Sequence, residues 1–174
     1  MATTFSAQGI RDILVREGIH PPYTQDINSA AVYPGLCLTA TGETAPNVSV
    51  ADAIADNVVG IAGCLENQDI DSVYTTGTEI PVYRTGHGAI VWVVHAANGG
   101  SVVDGDIMVC QTVETNGHVE PFHKAIAKFI AAAGNAAGTI LATQITHIYS
   151  IIGRAQETHA STGTAAPIKV ILSV

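Results

Sequence analysis

Seven histidines are the residues of this chain best suited to chemistry, because imidazole is both a common metal ligand and the side chain that exchanges protons near neutral pH. Their spacing works against both uses. His118 and His123 flank Pro121, so no single helix face carries the two together. His87 and His95 stand eight residues apart along one strand and its approach, about 26 Å at the strand rise. These positions predict surface or interface histidines. Asp69 with Asp71 and Asp104 with Asp106 are the closest carboxylate pairs and could hold Ca²⁺ through loop oxygens. Neither has the closing Glu of a full ligand loop, so both read as solvated turn residues. Cys37, Cys64 and Cys110 are far apart and lie in apolar settings such as Leu36-Cys37-Leu38, without C-x-x-C spacing. They are expected to be buried free thiols acting as small hydrophobes. Neither a G-x-S-x-G elbow nor a G-x-x-x-x-G-K phosphate loop occurs, and Gly99-Gly100-Ser101 reads as a chain reversal. With no convergent set of titratable groups, the chain is expected to be neither an enzyme nor the holder of a metal or cofactor.

The elements that would position these residues are announced by a repeat. Val58-Val59-Gly60-Ile61-Ala62 returns as Ile151-Ile152-Gly153-Arg154-Ala155. Each copy is preceded by a Gly-led strand, Gly35-Leu36-Cys37-Leu38 or Gly105-Asp106-Ile107-Met108-Val109. Each is followed by a polar stretch, a Thr-Gly-Thr turn (76–78 or 162–164) and a proline-led apolar run, Pro81-Val82-Tyr83 or Pro167-Ile168-Lys169-Val170-Ile171-Leu172. A repeat of this order predicts a mainly β fold, a small β-barrel built from a duplicated β unit, with the two apolar-Gly-apolar strands in equivalent positions. Strands are predicted at 32–40, 58–65, 79–84, 89–96, 106–114, 146–155 and 167–174, with Gly, Asn, Asp and Thr clusters between them. The run Ile90-Val91-Trp92-Val93-Val94 suits a strand covered on both faces at the centre of the core, which would bury Trp92.

Two inserts and a leading segment stand outside the repeat. Residues 1–31 read as an N-terminal arm ahead of a β-barrel domain at 32–174, its helix either packed on its own barrel or reaching a neighbouring subunit. Ser6 is placed to cap a short helix through Arg16, with Ile10, Ile13 and Leu14 on one stripe, and His20-Pro21-Pro22-Tyr23 is an extended breaker. The insert at 49–57 offers Ser49 as a cap for at most two helical turns. The second insert places Phe122, Ile126, Phe129 and Ile130 at helical spacing after Pro121, with Gly134 as the stop, and predicts one short helix across a barrel mouth. An alanine-rich tract, 131–138, follows it.

Only 13% of the residues are charged, about half the usual share, so a surface of Thr, Ala, Gly and Val favours contact with copies or partners. A formal charge of −8, with seven dispersed Lys and Arg, argues against direct nucleic-acid binding. No run is apolar enough to span a bilayer and no signal peptide is evident, so synthesis in the cytoplasm is expected.

The combination of Val32-Tyr33-Pro34-Gly35-Leu36, Val58-Val59-Gly60-Ile61-Ala62, Ala89-Ile90-Val91-Trp92-Val93, Val103-Asp104-Gly105-Asp106-Ile107-Met108-Val109 and Ile151-Ile152-Gly153-Arg154-Ala155 resembles the capsid cement, or decoration, proteins of tailed bacteriophages. The resemblance covers 32–174. It implies a compact β-barrel that adds to the outside of an assembled icosahedral head and clamps neighbouring capsomers, commonly as a homotrimer, with the major capsid protein as partner. The virion exterior is then the place of action, after synthesis in the host cytoplasm. On this reading the arm reaches the partner, through Phe5, Ile10, Pro21, Pro22 and Tyr23, and deleting residues 1–23 should abolish capsid binding while leaving a folded barrel. The alternative is a carbohydrate- or receptor-binding β module of a virion spike or fibre, which would need an exposed aromatic platform.

Overall fold

The computed structural model describes residue 5 and residues 8–18, 23–27, 32–41, 47–52, 57–66, 68–86, 88–111, 116–132 and 148–173. The chain is mainly β: β1 (Leu14–Arg16), β2 (Tyr23–Asp26), β3 (Cys37–Thr41), β4 (Asn47–Val50), β5 (Val58–Ala62), β6 (Glu79–Arg84), β7 (Ile90–His95), β8 (Ile107–Gln111), β9 (His118–Pro121), helix α1 (Phe122–Ala132), β10 (Ile151–Ala155) and β11 (Ala166–Ile171). Two sheets result, ordered β2-β6-β5-β3-β4 and β1-β7-β11-β10-β8-β9. Each curls until one parallel bridge closes it, Ile27 to Val48 beside the end strands β2 and β4 in the first and His95 to Val119 between β7 and β9 in the second, where β1 adds outside the ring. The sheets are ring-like, and no single clean barrel encloses them.

The repeat is longer than its sequence signature. Strands β2 to β6 and β7 to β11 occur in the same spatial order, and their residues pair in the same register. Leu38 faces Gly60 and Val50 as Met108 faces Gly153 and Pro121. Thr24 faces Pro81 as Trp92 faces Lys169. Loop hydrogen bonds repeat as well. The Gly35 amide donates to the Ala62 carbonyl at 2.8 Å and the Gly105 amide to the Ala155 carbonyl at 3.0 Å. The two apolar-Gly-apolar strands thus hold equivalent positions in two different sheets, with β5 and β10 lying against each other.

The strand glycines have a steric cause shared by both copies. A Cβ on Gly60 would lie 2.5 Å from the Tyr83 carbonyl oxygen, and one on Gly153 would overlap the Ile171 carbonyl oxygen, which is the equivalent atom. Gly153 also has a φ of 154°, which side-chain-bearing residues rarely adopt. Register shifts fall at the same place, beside Val59 and Ile152. Such a bulge bends a strand and increases its twist, which helps a short sheet to curl.

Two hydrophobic clusters fill the molecule. The smaller, Ile27, Val32, Leu38, Val48, Ala62, Tyr74, Ile80 and Val82, is the inside of the first sheet. The larger fills the second sheet with Val91, Val93, Met108, Val119, Ile168 and Val170, and continues through Cys37, Ile61 and Tyr83 to join the two halves. Each fully buried aliphatic side chain here contributes about 1.5–3 kcal/mol.

Four expectations change. Residues 9–16 are not helical: Gly9 has a φ of 76°, and β1 pairs with β7, the Trp92 amide donating to the Ile13 carbonyl at 2.8 Å. The β-branched Val15 and a partner strand outweigh a single apolar stripe. Ser49 lies inside β4 rather than capping a helix, held in the ladder opposite Thr39, and residues 53–56 of that insert lie outside the described residues. Residues 118–121 form strand β9 before the helix. Trp92 is only partly buried, because the parity that points Val91, Val93 and His95 inward turns it outward. The helix in the second half is as expected: α1 follows Pro121, lies against β8 and β9, and buries Ala125 and Ile126. Among the described residues no helix is long and apolar enough to cross a membrane.

Candidate functional site

Residues expected to reach a partner take different places. Phe5 is 1% exposed, its ring packed over Gly35 so closely that a Cβ there would come within 2.6 Å of it. Its amide donates to Asp71 Oδ1 at 3.2 Å, and its carbonyl accepts from the amides of Gln8 and Ile10, both at 3.1 Å. Ile10 is half-buried against the larger core cluster. Tyr23 pairs through its backbone with Val82 in β2. Pro21 and Pro22 lie outside the described residues. Phe5 and Ile10 therefore pack on their own chain, and β1 and β2 are strands of the two sheets rather than a free arm.

The segment around Ile10 also borders a cleft of about 300 Å³. Gln8 and Ile10 form one wall, and Trp92, Glu157, Thr158 and His159 contribute to the rest. Several of its polar groups are already engaged. Glu157 accepts from the Lys169 amide at 2.8 Å, and its other oxygen stands 3.7 Å from Lys169 Nζ. The same ammonium sits 4.8 Å from the centre of the Trp92 ring, in cation–π geometry. Thr158 Oγ1 accepts from the Asp104 amide at 3.3 Å.

Behind the cleft lies a group of histidines. His159 meets His95 edge to face, with ring centroids 5.6 Å apart and planes at 75°. His95 is 1% and His118 8% exposed, so these two are core residues and not the surface histidines expected from spacing. Their position follows from the fold: His95 and His118 bracket the closure of the second sheet, His95 facing Val119 across the parallel bridge. Burial, and then His159, Lys128 and His118, lower the pKa of His95 to about 4. Burial likewise brings His118 down to about 4. Nε2 of His95, Nδ1 of His118 and Nε2 of His159 have no hydrogen-bond partner among the described residues. The sequence held one signal for His95: the alternation of Val91 and Val93 runs straight into it.

Lys128 Nζ stands 2.7 Å from Glu120, whose side chain is nearly buried on β9, tying α1 to the second sheet. Cys37 and Cys110 are buried free thiols, and burial together with the neighbouring Cys110 raises the Cys37 pKa well above its usual range. Cys64 is half-buried and raised by burial, and its sulfur receives the Tyr74 hydroxyl at 3.9 Å. Burial pushes Tyr74 and Tyr83 up to about 12. Among the described residues, no group of three or more His, Cys, Asp and Glu is placed to hold a metal ion. In comparisons with known proteins, no family model and no curated protein matches this chain.

Proposed function

We propose that this chain is a structural virion protein that binds the outer face of an assembled icosahedral capsid and stabilises it by bridging neighbouring capsomers. The observation that carries this reading is the repeated framework. The Gly-led and apolar-Gly-apolar motifs that resemble capsid decoration proteins lie on paired strands that recur, bond for bond, in both halves. Each curled sheet is then a small barrel produced by duplication, and the partners are the major capsid protein and further copies of the chain in a homotrimer. The low charge of the chain suits the burial of subunit surface, and its net acidity keeps it from the packaged genome. Stabilisation follows from mass action. A ligand that binds only the mature lattice stabilises it by about 2.7 kcal/mol at a hundred times its Kd, and many copies act together.

The test is co-sedimentation of the purified full chain with phage heads. Pelleting with expanded heads but not with unexpanded heads is the expected result, and equal recovery with both, or with neither, overturns the reading.

One observation favours a second reading, a carbohydrate- or receptor-binding module of a spike or fibre. Trp92 is half-exposed at the cleft beside Gln8, Glu157 and Thr158, an aromatic face with polar neighbours. Saturable quenching of its fluorescence by a panel of oligosaccharides would favour this second reading over the first.

A further inference from the structure

The register of the two sheets lets their interiors be compared residue by residue. Around the first closure stand Ile27, Val32, Leu38, Val48, Ala62, Tyr74, Ile80 and Val82. Pairing places His95, Val102, Met108, Val119, Ala155, His159, Ile168 and Val170 at the corresponding positions of the second. The Tyr74 correspondence is direct: Tyr74 exchanges backbone bonds with Val32 at 2.7 and 3.1 Å, and His159 does so with Val102 at 2.8 and 2.9 Å. Every position keeps its apolar character except the two that become histidine, and those two touch each other. A third imidazole, His118, occupies the position of Asn47 one residue from the bridge.

We propose that His95 and His118 make the second sheet an acid-triggered latch, closed while the two are neutral and opened by their protonation, whereas the first sheet, closed by Ile27 and Tyr74, does not respond.

The surroundings offer a new proton little support. His95 Nε2 abuts Gly99, where even a Cβ would come within 2.5 Å. The groups facing His95 are His159 from the segment after β10, His118 on β9 and Lys128 on α1, all of them basic. Lys124, also on α1, lies along Gly100. The carboxylates on these elements are engaged, Glu120 by Lys128 and Glu157 by Lys169. A protonated His95 would gain a buried N–H donor without an acceptor and would face like charge on three sides.

The pH window follows from the lowered basicity. In the unfolded chain His95 and His118 take up protons near 6.5, and in the folded chain only near 4. Between these values the unfolded state binds more protons, so stability is complete above about 6.5 and falls as pH drops towards 4. Each histidine changes the closing equilibrium by up to about 300-fold over that interval.

Hydrogen exchange of the full chain, read by mass spectrometry at pH 7.5 and 4.5 and corrected for intrinsic rates, tests the latch. Strands β7 to β11 are expected to exchange at least about tenfold faster at the lower pH, while β2 to β6 keep their protection. The pair His95→Ile with His159→Tyr, which installs the first sheet's own residues where the two rings touch, should weaken the acid response and leave only the share carried by His118. Unchanged protection at pH 4.5, loss in both sheets together, or an acid response undiminished by the double substitution overturns the proposal. Should the double variant not fold at pH 7.5, His118→Asn serves alone. It should move the acid midpoint of Trp92 fluorescence to lower pH, and an unmoved midpoint overturns the proposal equally.

Discussion

A methyl group at position 153 has nowhere to go, because the atom it would meet is the Ile171 carbonyl oxygen of a paired strand and not the tip of a flexible side chain. Gly153→Ala and Gly60→Ala are each expected to lower stability by about 2–4 kcal/mol in urea unfolding. Gly105→Ala is the control: φ is 87° but the space around it is open, and a cost of about 1 kcal/mol is expected. Thiol titration gives a second check. In the native chain Cys64 alone should react with a disulfide reagent, slowly because burial raises its pKa, and Cys37 and Cys110 should react only on unfolding. The glycines were legible in the sequence because two β-branched residues, Gly, one variable residue and Ala recur in that order at 58–62 and 151–155. The equivalence of the histidines was not, since Ile27 and His95, or Tyr74 and His159, are different residue types and become equivalent only through strand register. Spacing along the chain misjudged them, as it measures separation within a strand and is blind to what the sheet folds across.

Helix α1 is joined to the second sheet by apolar packing and by one ion pair, and these can be separated. Lys128→Met keeps the stem and removes the charge beside Glu120. With the lysine end about a third exposed, a loss of about 1–2 kcal/mol is expected in thermal unfolding, and Glu120→Gln in the same background should recover part of it. At the other edge, β1 changes how the leading segment must be probed. Deleting residues 1–23 removes Phe5 and Ile13 from the core as well as any partner contact, so lost capsid binding would be ambiguous. Val15, 42% exposed on β1, is the better probe. If the proposed function holds, Val15→Glu should weaken co-sedimentation with expanded heads without shifting the melting temperature. The strands legible in advance were β3, β5, β6, β7, β8, β10 and β11, whose apolar and β-branched residues stand between clear turn clusters. The short strands β1, β2, β4 and β9 depend on a partner strand for their conformation, and a local pattern does not carry that information.

Across the molecule, the larger core cluster runs through both halves, so at pH 7 urea should unfold the chain in one transition, with Trp92 fluorescence and far-ultraviolet dichroism coincident. A resolved second transition at neutral pH would mean that the shared core does not couple the halves. Sedimentation equilibrium tests the assembly reading, for which three times the 18.0 kDa chain mass is expected. The duplication was visible in the sequence, but the division into two closed sheets was not, because closure rests on two parallel bridges, beside β2 and β4 in one sheet and between β7 and β9 in the other, and β2 shares no sequence likeness with β7, nor β4 with β9. Those bridges also set an order of events during synthesis. Every strand of the first ring lies within residues 23–84, so that half can close while the ribosome is still making the rest. The second ring cannot close until β11 has emerged, and Phe5 and Ile13, made before either ring, find most of their cluster only then. The beginning of the chain is therefore among the last parts of the molecule to come to rest.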